Sequence, residues 1–184
     1  MDKLTYQEIF ATRPTLAELS KMPRFPIYCL IENVRSLYNV GSIFRTSDAV
    51  RLTKLFLTGY TGSPPRKEID KTALGAVESV PWQHFKDPSI AITELRKKKV
   101  NLIAVEHTTK SSSFYEFEFK FPLCIMLGNE VDGLSKELIK EADAAVEIPM
   151  FGLKQSLNVS VAYGTIIHFI LNNYLKNNPV EDKG

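Results

Sequence analysis

The sequence has little with which to staple, metallate or anchor a fold. Only two cysteines stand among its 184 residues, Cys29 within Ile-Tyr-Cys-Leu-Ile and Cys124 within Pro-Leu-Cys-Ile-Met-Leu. Apolar flanks of this kind suit reduced core thiols and argue against a disulfide framework. With three histidines and no Cys-x-x-Cys pair, a zinc site is not expected. The opening Met-Asp-Lys-Leu-Thr-Tyr-Gln-Glu has no apolar core segment, so no signal peptide is expected. The longest apolar stretch, about Val159 to Leu171, is shorter than the roughly 20 residues that a membrane span needs, and Gly164 and His168 interrupt it. The expectation is a soluble, cytoplasmic protein with neither a metal nor a membrane partner.

Net charge is scarce as well. Lys plus Arg number 23 against 21 Asp plus Glu, a formal +2, which excludes both a polybasic nucleic-acid coat and an acidic disordered chain. The balance shifts along the chain. Residues 1–92 carry 12 basic and 9 acidic side chains, whereas residues 93–184 carry 11 and 12. A polyanionic partner would therefore meet mainly the first half, through local patches.

What the chain does have is apolar content, 44%, enough for one domain with a real core. Thr5 to Ser20 has helical periodicity broken at Arg13-Pro14, with Thr15 and Glu18 placed to cap a second short helix. Met22-Pro-Arg-Phe-Pro26 stops that segment. Ile27–Ile31, Leu55–Leu57, Val100–Val105, Leu123–Leu127 and Val146–Ile148 read as strands, and Val80–Phe85 as a weaker one. Val40–Val50, Pro88–Lys98, Ser135–Ala142 and Asn158–Tyr174 read as helices. Strands rich in Ile, Leu and Val that alternate with helices predict an α/β fold, a mostly parallel sheet flanked by helices.

Such sheets bind ligands at the carboxyl ends of their strands, and three strand-to-helix loops carry polar groups there. After Ile27–Ile31 comes Glu32-Asn-Val-Arg-Ser-Leu-Tyr-Asn-Val-Gly-Ser-Ile-Phe-Arg-Thr-Ser-Asp48. Asn39 is a candidate N-cap, Gly41 permits a close approach of backbone or ligand, and Arg35 and Arg45 suit a phosphate or a ribose. Capping and turn chemistry alone would also account for this loop. After Leu123–Leu127 comes Gly128-Asn-Glu-Val-Asp-Gly133-Leu-Ser-Lys-Glu, a tight glycine loop whose amides can face a ligand. It is neither a Walker loop nor a Gly-x-Gly-x-x-Gly fingerprint. Glu130 would repel a phosphate, so its expected work is to accept backbone amides or to pair with an arginine. After Val146–Ile148 comes Pro149-Met-Phe-Gly-Leu-Lys-Gln-Ser-Leu-Asn-Val-Ser. Here Gln155, Ser156, Asn158 and Ser160 open a helix that is otherwise apolar nearly all round. One cap does not explain four polar residues; a ligand site, or a subunit interface along the apolar faces, would.

Together the three loops resemble the SpoU/TrmH branch of the SPOUT RNA methyltransferases. Asn39-x-Gly-x-x-x-Arg45-Thr resembles the first motif of that family, and Leu127-Gly-Asn-Glu130-x-x-Gly133-Leu-Ser the second. Ile148-Pro-Met-x-Gly-x-x-x-Ser156-Leu-Asn158-Val-Ser-Val-Ala162 resembles the third. The likeness runs from about Pro26 to Leu175. It leaves residues 1–25 as a helical extension, 26–176 as the methyltransferase domain and 177–184 as a tail. One departure is Ala49-Val-Arg51-Leu, where family members often have a glycine.

The resemblance implies a sheet whose C-terminal part is tied into a deep trefoil knot, a topology no pattern rule would produce. It implies S-adenosylmethionine as cofactor, bound by Leu127, Gly128, Glu130, Ile148, Met150, Ser156 and Leu157. The implied reaction is methyl transfer to a ribose 2′-hydroxyl in RNA, at an active site formed in a homodimer, with Arg45 central and Asn39, Ser156 and Asn158 completing the site. Arginine is a poor base, because its guanidinium stays protonated in ordinary water. Arg45 is therefore expected to bind phosphate and stabilise the forming alkoxide. The small architecture resembles that of tRNA-modifying members, so tRNA is the preferred substrate, with rRNA, or a silent RNA-binding relative, as alternatives. Arg35, Arg66, Lys67 and Lys71 are the expected RNA contacts, with Arg13, Lys21 and Arg24 extending the patch. Arg96-Lys-Lys-Lys99 is read as a solvated helix end, and His84, His107 and His168 as structural or incidental.

Overall fold

The structure is a computed structural model describing residues 1–178; most of the 177–184 tail lies outside that range. Two short helices come first, α1 (Tyr6–Ala11) and α2 (Leu16–Lys21). Each is fixed by a capping box, Thr5 with Glu8 and Thr15 with Glu18, which satisfies donors that a one-turn helix would leave orphaned. Strand β1 (Phe25–Glu32) then opens a domain in which α3 (Leu37–Ala49), β2 (Leu52–Thr58), α4 (Lys67–Ala73), α5 (Ala76–Ser79) and β3 (Trp82–Phe85) follow in turn. The chain continues through α6 (Pro88–Lys97), β4 (Asn101–Val105), β5 (Ser112–Ser113), β6 (Leu123–Leu127), α7 (Lys136–Glu141), β7 (Ala144–Glu147) and α8 (Val159–Asn177).

Among the described residues the strands form one sheet in the order β3-β2-β1-β6-β4-β7-β5, and every pairing is parallel. The expected α/β class with a parallel sheet is thus the observed one. Alternation in β1 shows why both faces are covered. Ile27, Cys29 and Ile31 join a cluster with Ile43 and Phe44 of α3 and Ile166 and Ile170 of α8. Leu30 joins Leu95 of α6 and Leu138 of α7 on the other face. Full burial of a side chain such as Leu30 stabilises the fold by about 1.5–3 kcal/mol. Both cysteines are buried and free, and burial pushes both thiols upward in pKa.

Several expectations needed correction. Helix α3 begins at Leu37, with the Ser36 hydroxyl accepting from the Asn39 amide at 3.3 Å; Asn39 is inside the first turn and is not the cap. A helix the sequence reading did not mark, Lys67–Ala73, follows Arg66 and carries Lys67 and Lys71. The close approach allowed by Gly41 is to this helix: a Cβ there would lie 2.3 Å from the Ile69 carbonyl oxygen. Arg24 is committed to the Leu52 and Ser79 carbonyls at 3.0 and 2.6 Å, so it does not extend a free basic patch. Arg96 closes α6 as expected, pairing with Asp143.

Candidate active site

The carboxyl ends of β4, β6 and β7 converge on one cleft with a cavity volume of about 170 Å³. Its shape begins with Asn129. The Asn129 amide donates to the Gly133 carbonyl at 2.9 Å and the Gly133 amide to the Asn129 carbonyl at 3.0 Å, closing a five-residue loop. The Asn129 Oδ1 accepts from the amides of Val131 and Asp132 at 2.7 and 3.0 Å. Gly133 sits at φ +68°, and a Cβ on Gly128 would lie 2.0 Å from the Gly133 carbonyl carbon. Both positions therefore demand glycine. The Leu134 amide is held by Glu106 at 3.0 Å and the Ser135 amide by Glu32 at 2.8 Å. Contrary to expectation, the amides of this loop are mostly turned to the protein's own acceptors and not to a ligand.

Glu130 leaves the loop to bind the start of α3. Its carboxylate accepts from the amides of Arg35 and Ser36 at 3.1 and 3.3 Å and from Asn39 Nδ2 at 3.0 Å. Partial burial opposes its ionisation, yet the Arg35, Asn39 and Ser36 donors outweigh it and hold the carboxyl below its usual range. Of the two expected roles, accepting amides is the one observed. Asn39 is bound on both sides, since its Oδ1 accepts from Asn158 Nδ2 at 3.2 Å. Asn158 also caps α8 through the Ser160 and Val161 amides. One relay, Glu130–Asn39–Asn158, thus joins all three loops.

The seven residues expected to hold a cofactor, Leu127, Gly128, Glu130, Ile148, Met150, Ser156 and Leu157, all line the cleft. Arg45 is six residues, somewhat less than two turns, beyond Asn39 on α3, exposed and outside every ion pair among the described residues. Two residues on, the buried Ser47 hydroxyl meets the Tyr163 hydroxyl at 2.7 Å, fixing α3 against α8. Arg35, Arg66, Lys67 and Lys71 are exposed and likewise unpaired among the described residues.

The sequence reading missed the contribution of β4. Glu106 and His107 both line the cleft, and His107 bridges it, with Nδ1 3.4 Å from Glu147 Oε2 and Nε2 3.1 Å from the Gln155 carbonyl oxygen. The Ser111 hydroxyl outweighs desolvation and, with a smaller contribution from His107, holds the Glu147 carboxyl below its usual range. The rule that placed sites at strand ends would have included this β4 end; no motif marked it.

A model of the SpoU rRNA Methylase family matches residues 26–168. A tRNA (guanosine(18)-2′-O)-methyltransferase of Thermus thermophilus is 31% identical over 157 residues, 85% of this chain and 80% of the relative. Among solved structures, the A. aeolicus TrmH/SpoU tRNA modifying enzyme superposes with a TM-score of 0.79 at 27% identity, covering 88% of this chain and 82% of that one. An AdoMet-bound rRNA methyltransferase from Sinorhizobium meliloti gives 0.73 at 26% identity, covering 88% of this chain and 61% of its own.

Proposed function

The chain belongs to the SpoU rRNA Methylase family, and from that premise we infer that it is an RNA ribose 2′-O-methyltransferase using S-adenosylmethionine, with tRNA as its preferred substrate. The observation that carries this reading is the Glu130–Asn39–Asn158 relay, which gathers the three motif segments at one mouth. The preference for tRNA rests on relatives such as the Thermus enzyme; the Sinorhizobium neighbour favours rRNA as the second reading.

The cleft residues fit the cofactor. Leu127, Ile148, Met150 and Leu157 offer apolar surface suited to an adenine, and Glu106 and Glu147 bring carboxylates suited to cationic groups. When bound, S-adenosylmethionine supplies the electrophilic methyl group. The protein's own residues then prepare the acceptor. A ribose hydroxyl must lose its proton as it attacks, so the forming alkoxide needs a cation at hand. Arg45, exposed and unpaired among the described residues, is the group for this: its guanidinium binds an RNA phosphate and stabilises the alkoxide. Asn39, fixed by Glu130 and Asn158, orients the ribose, and Ser156 and Asn158 close the site from the α8 side. Arg35, Arg66, Lys67 and Lys71 hold the backbone of the RNA.

Two further features belong to the same reading. The chain between β7 and α8 passes through the C-terminal part of the sheet as a trefoil knot. Its support is the family match over residues 26–168, together with the order β1-β6-β4-β7, in which β6 and β7 flank β4 out of chain order. The enzyme works as a homodimer in the cytoplasm, with the exposed Phe151, Leu153 and Val161 near the cleft as the apolar surface that a second copy covers. No helix among the described residues is long and apolar enough to cross a membrane. Incubation with methyl-labelled cofactor and separate tRNA and rRNA pools tests the proposal: label is expected in tRNA, label confined to rRNA would select the second reading, and cofactor binding without transfer to either would refute the activity.

A further inference from the structure

We propose that Tyr60 is a base-stacking residue for the RNA substrate, an inference that rests on the RNA methyltransferase reading above. A surface tyrosine ordinarily lays its ring on apolar neighbours and turns its hydroxyl to water. Tyr60 does the reverse. Its hydroxyl accepts from Nδ2 of the buried Asn129 at 2.8 Å, while the residue as a whole remains 60% exposed. Its amide donates to Asn33 Oδ1 at 3.0 Å. The turn before it, Gly59 at φ +66°, lies so close to the same Asn33 side chain that a Cβ there would meet Oδ1 at 2.0 Å. The ring is thus held by its polar edge and its backbone, and its apolar face is kept in solvent. The hydroxyl satisfies a donor of a buried side chain, and the ring face is left uncovered in return.

The surroundings specify what would cover the face. On one side Asn129 also shapes the cofactor loop, so the side chain that fixes the ring is part of the cleft wall. On the other side Gly62 packs on Leu37, where a Cβ would lie 2.1 Å from Cδ2. This contact brings the loop beside the first turn of α3, with the exposed Arg35 and Tyr38. Arg66 and Lys67, exposed and unpaired among the described residues, follow at the start of α4. An exposed aromatic face flanked by free cations is the arrangement that binds unpaired nucleotides, with phosphates on the cations and a base on the ring. A nucleotide whose ribose reaches Arg45 must leave its own stack, and Tyr60 replaces the lost neighbour.

Equilibrium binding of unfractionated tRNA, across a salt series, tests the inference with Tyr60→Ala, Tyr60→Leu and Tyr60→Phe. Ala and Leu are expected to bind about tenfold more weakly, because the aromatic face is lost, whereas Phe stays within about twofold. The ratio to wild type should not change with salt, since stacking releases no counterions. All three should keep their cofactor affinity within about threefold, because Asn129 still donates to the Asn33 carbonyl at 2.9 Å. Undiminished tRNA binding by Tyr60→Ala, or a loss in Tyr60→Phe as large as in Ala, would overturn the stacking role. Failure of the wild type itself to bind tRNA or rRNA would instead overturn the RNA reading on which it rests.

Discussion

Asn158 donates to Asn39 across 3.2 Å, although 119 residues separate them in the chain. Neither side chain is needed there for packing. Asn158 already caps α8 through its Oδ1, and Asn39 already donates to Glu130. The bond therefore aligns the start of α8 with the start of α3, and Arg45 follows on the second of these helices.

Arg45→Ala is expected to lower methyl transfer by at least about a hundredfold, since removing one charged stabiliser of a developing oxyanion costs a few kcal/mol. Its cofactor affinity should be nearly unchanged, because Arg45 does not line the cleft. Single-turnover rates set beside calorimetric cofactor binding separate the two effects. Retained transfer would remove Arg45 from the mechanism.

Glu130 provides a pH dependence with a definite sign. Its carboxyl lies below the ordinary value of 4.5 when folded, so its contribution is complete above that value and is lost as pH falls through the lowered one. Glu130→Gln should lower stability near neutrality by about 1 kcal/mol after allowance for solvent screening, and the two proteins should converge once the pH has fallen below the lowered value. Thermal melts of both across that range check the sign; a difference that grows in acid would contradict it.

Gly128→Ala tests the closed loop. The added Cβ would meet backbone atoms of Gly133 and Leu134 at 2.0–2.1 Å, and backbone cannot step aside as a flexible side chain can. A destabilisation of about 1–3 kcal/mol and loss of cofactor binding are expected by melting and calorimetry, whereas Gly152→Ala, with open space around it, should do neither.

Arg51 explains the departure from the family's glycine. Its φ is +45°, a left-handed conformation that costs a non-glycine residue about 1–2 kcal/mol. The guanidinium offsets this by donating to the carbonyls of Leu19, Met22 and Pro23 at 2.7–3.3 Å, which ties α2 and the segment after it to the domain. Arg51→Gly should relieve the backbone yet free the extension, so limited proteolysis should cleave between residues 1 and 24 faster than in wild type. Unchanged cleavage would show that the extension is held elsewhere.

Much of this was legible in the residues and some was not, for physical reasons. Continuous apolar runs such as Ile27 to Ile31 marked strands buried on both faces, and Thr15 with Glu18 marked a cap. Helix α4 was missed because only Ile69 and Ala73 of its seven residues are buried, too few for a visible period. Asn39 looked like a cap because it has cap chemistry; Ser36 takes that task and releases the Asn39 side chain for Glu130 and Asn158. His107 gave no signal, since its partners Glu147 and Gln155 are brought to it only by the pairing of β4 with β7. Strand order depends on such long-range contacts, and local pattern does not encode it.

The central claim is that the methyl group goes to a ribose hydroxyl and not to a base. Labelling tRNA with the wild-type protein and methyl-labelled cofactor, followed by alkaline hydrolysis, reads this directly, because a 2′-O-methyl blocks cleavage of the adjacent phosphodiester. The account predicts label in an alkali-resistant dinucleotide. Label released as a mononucleotide would contradict it.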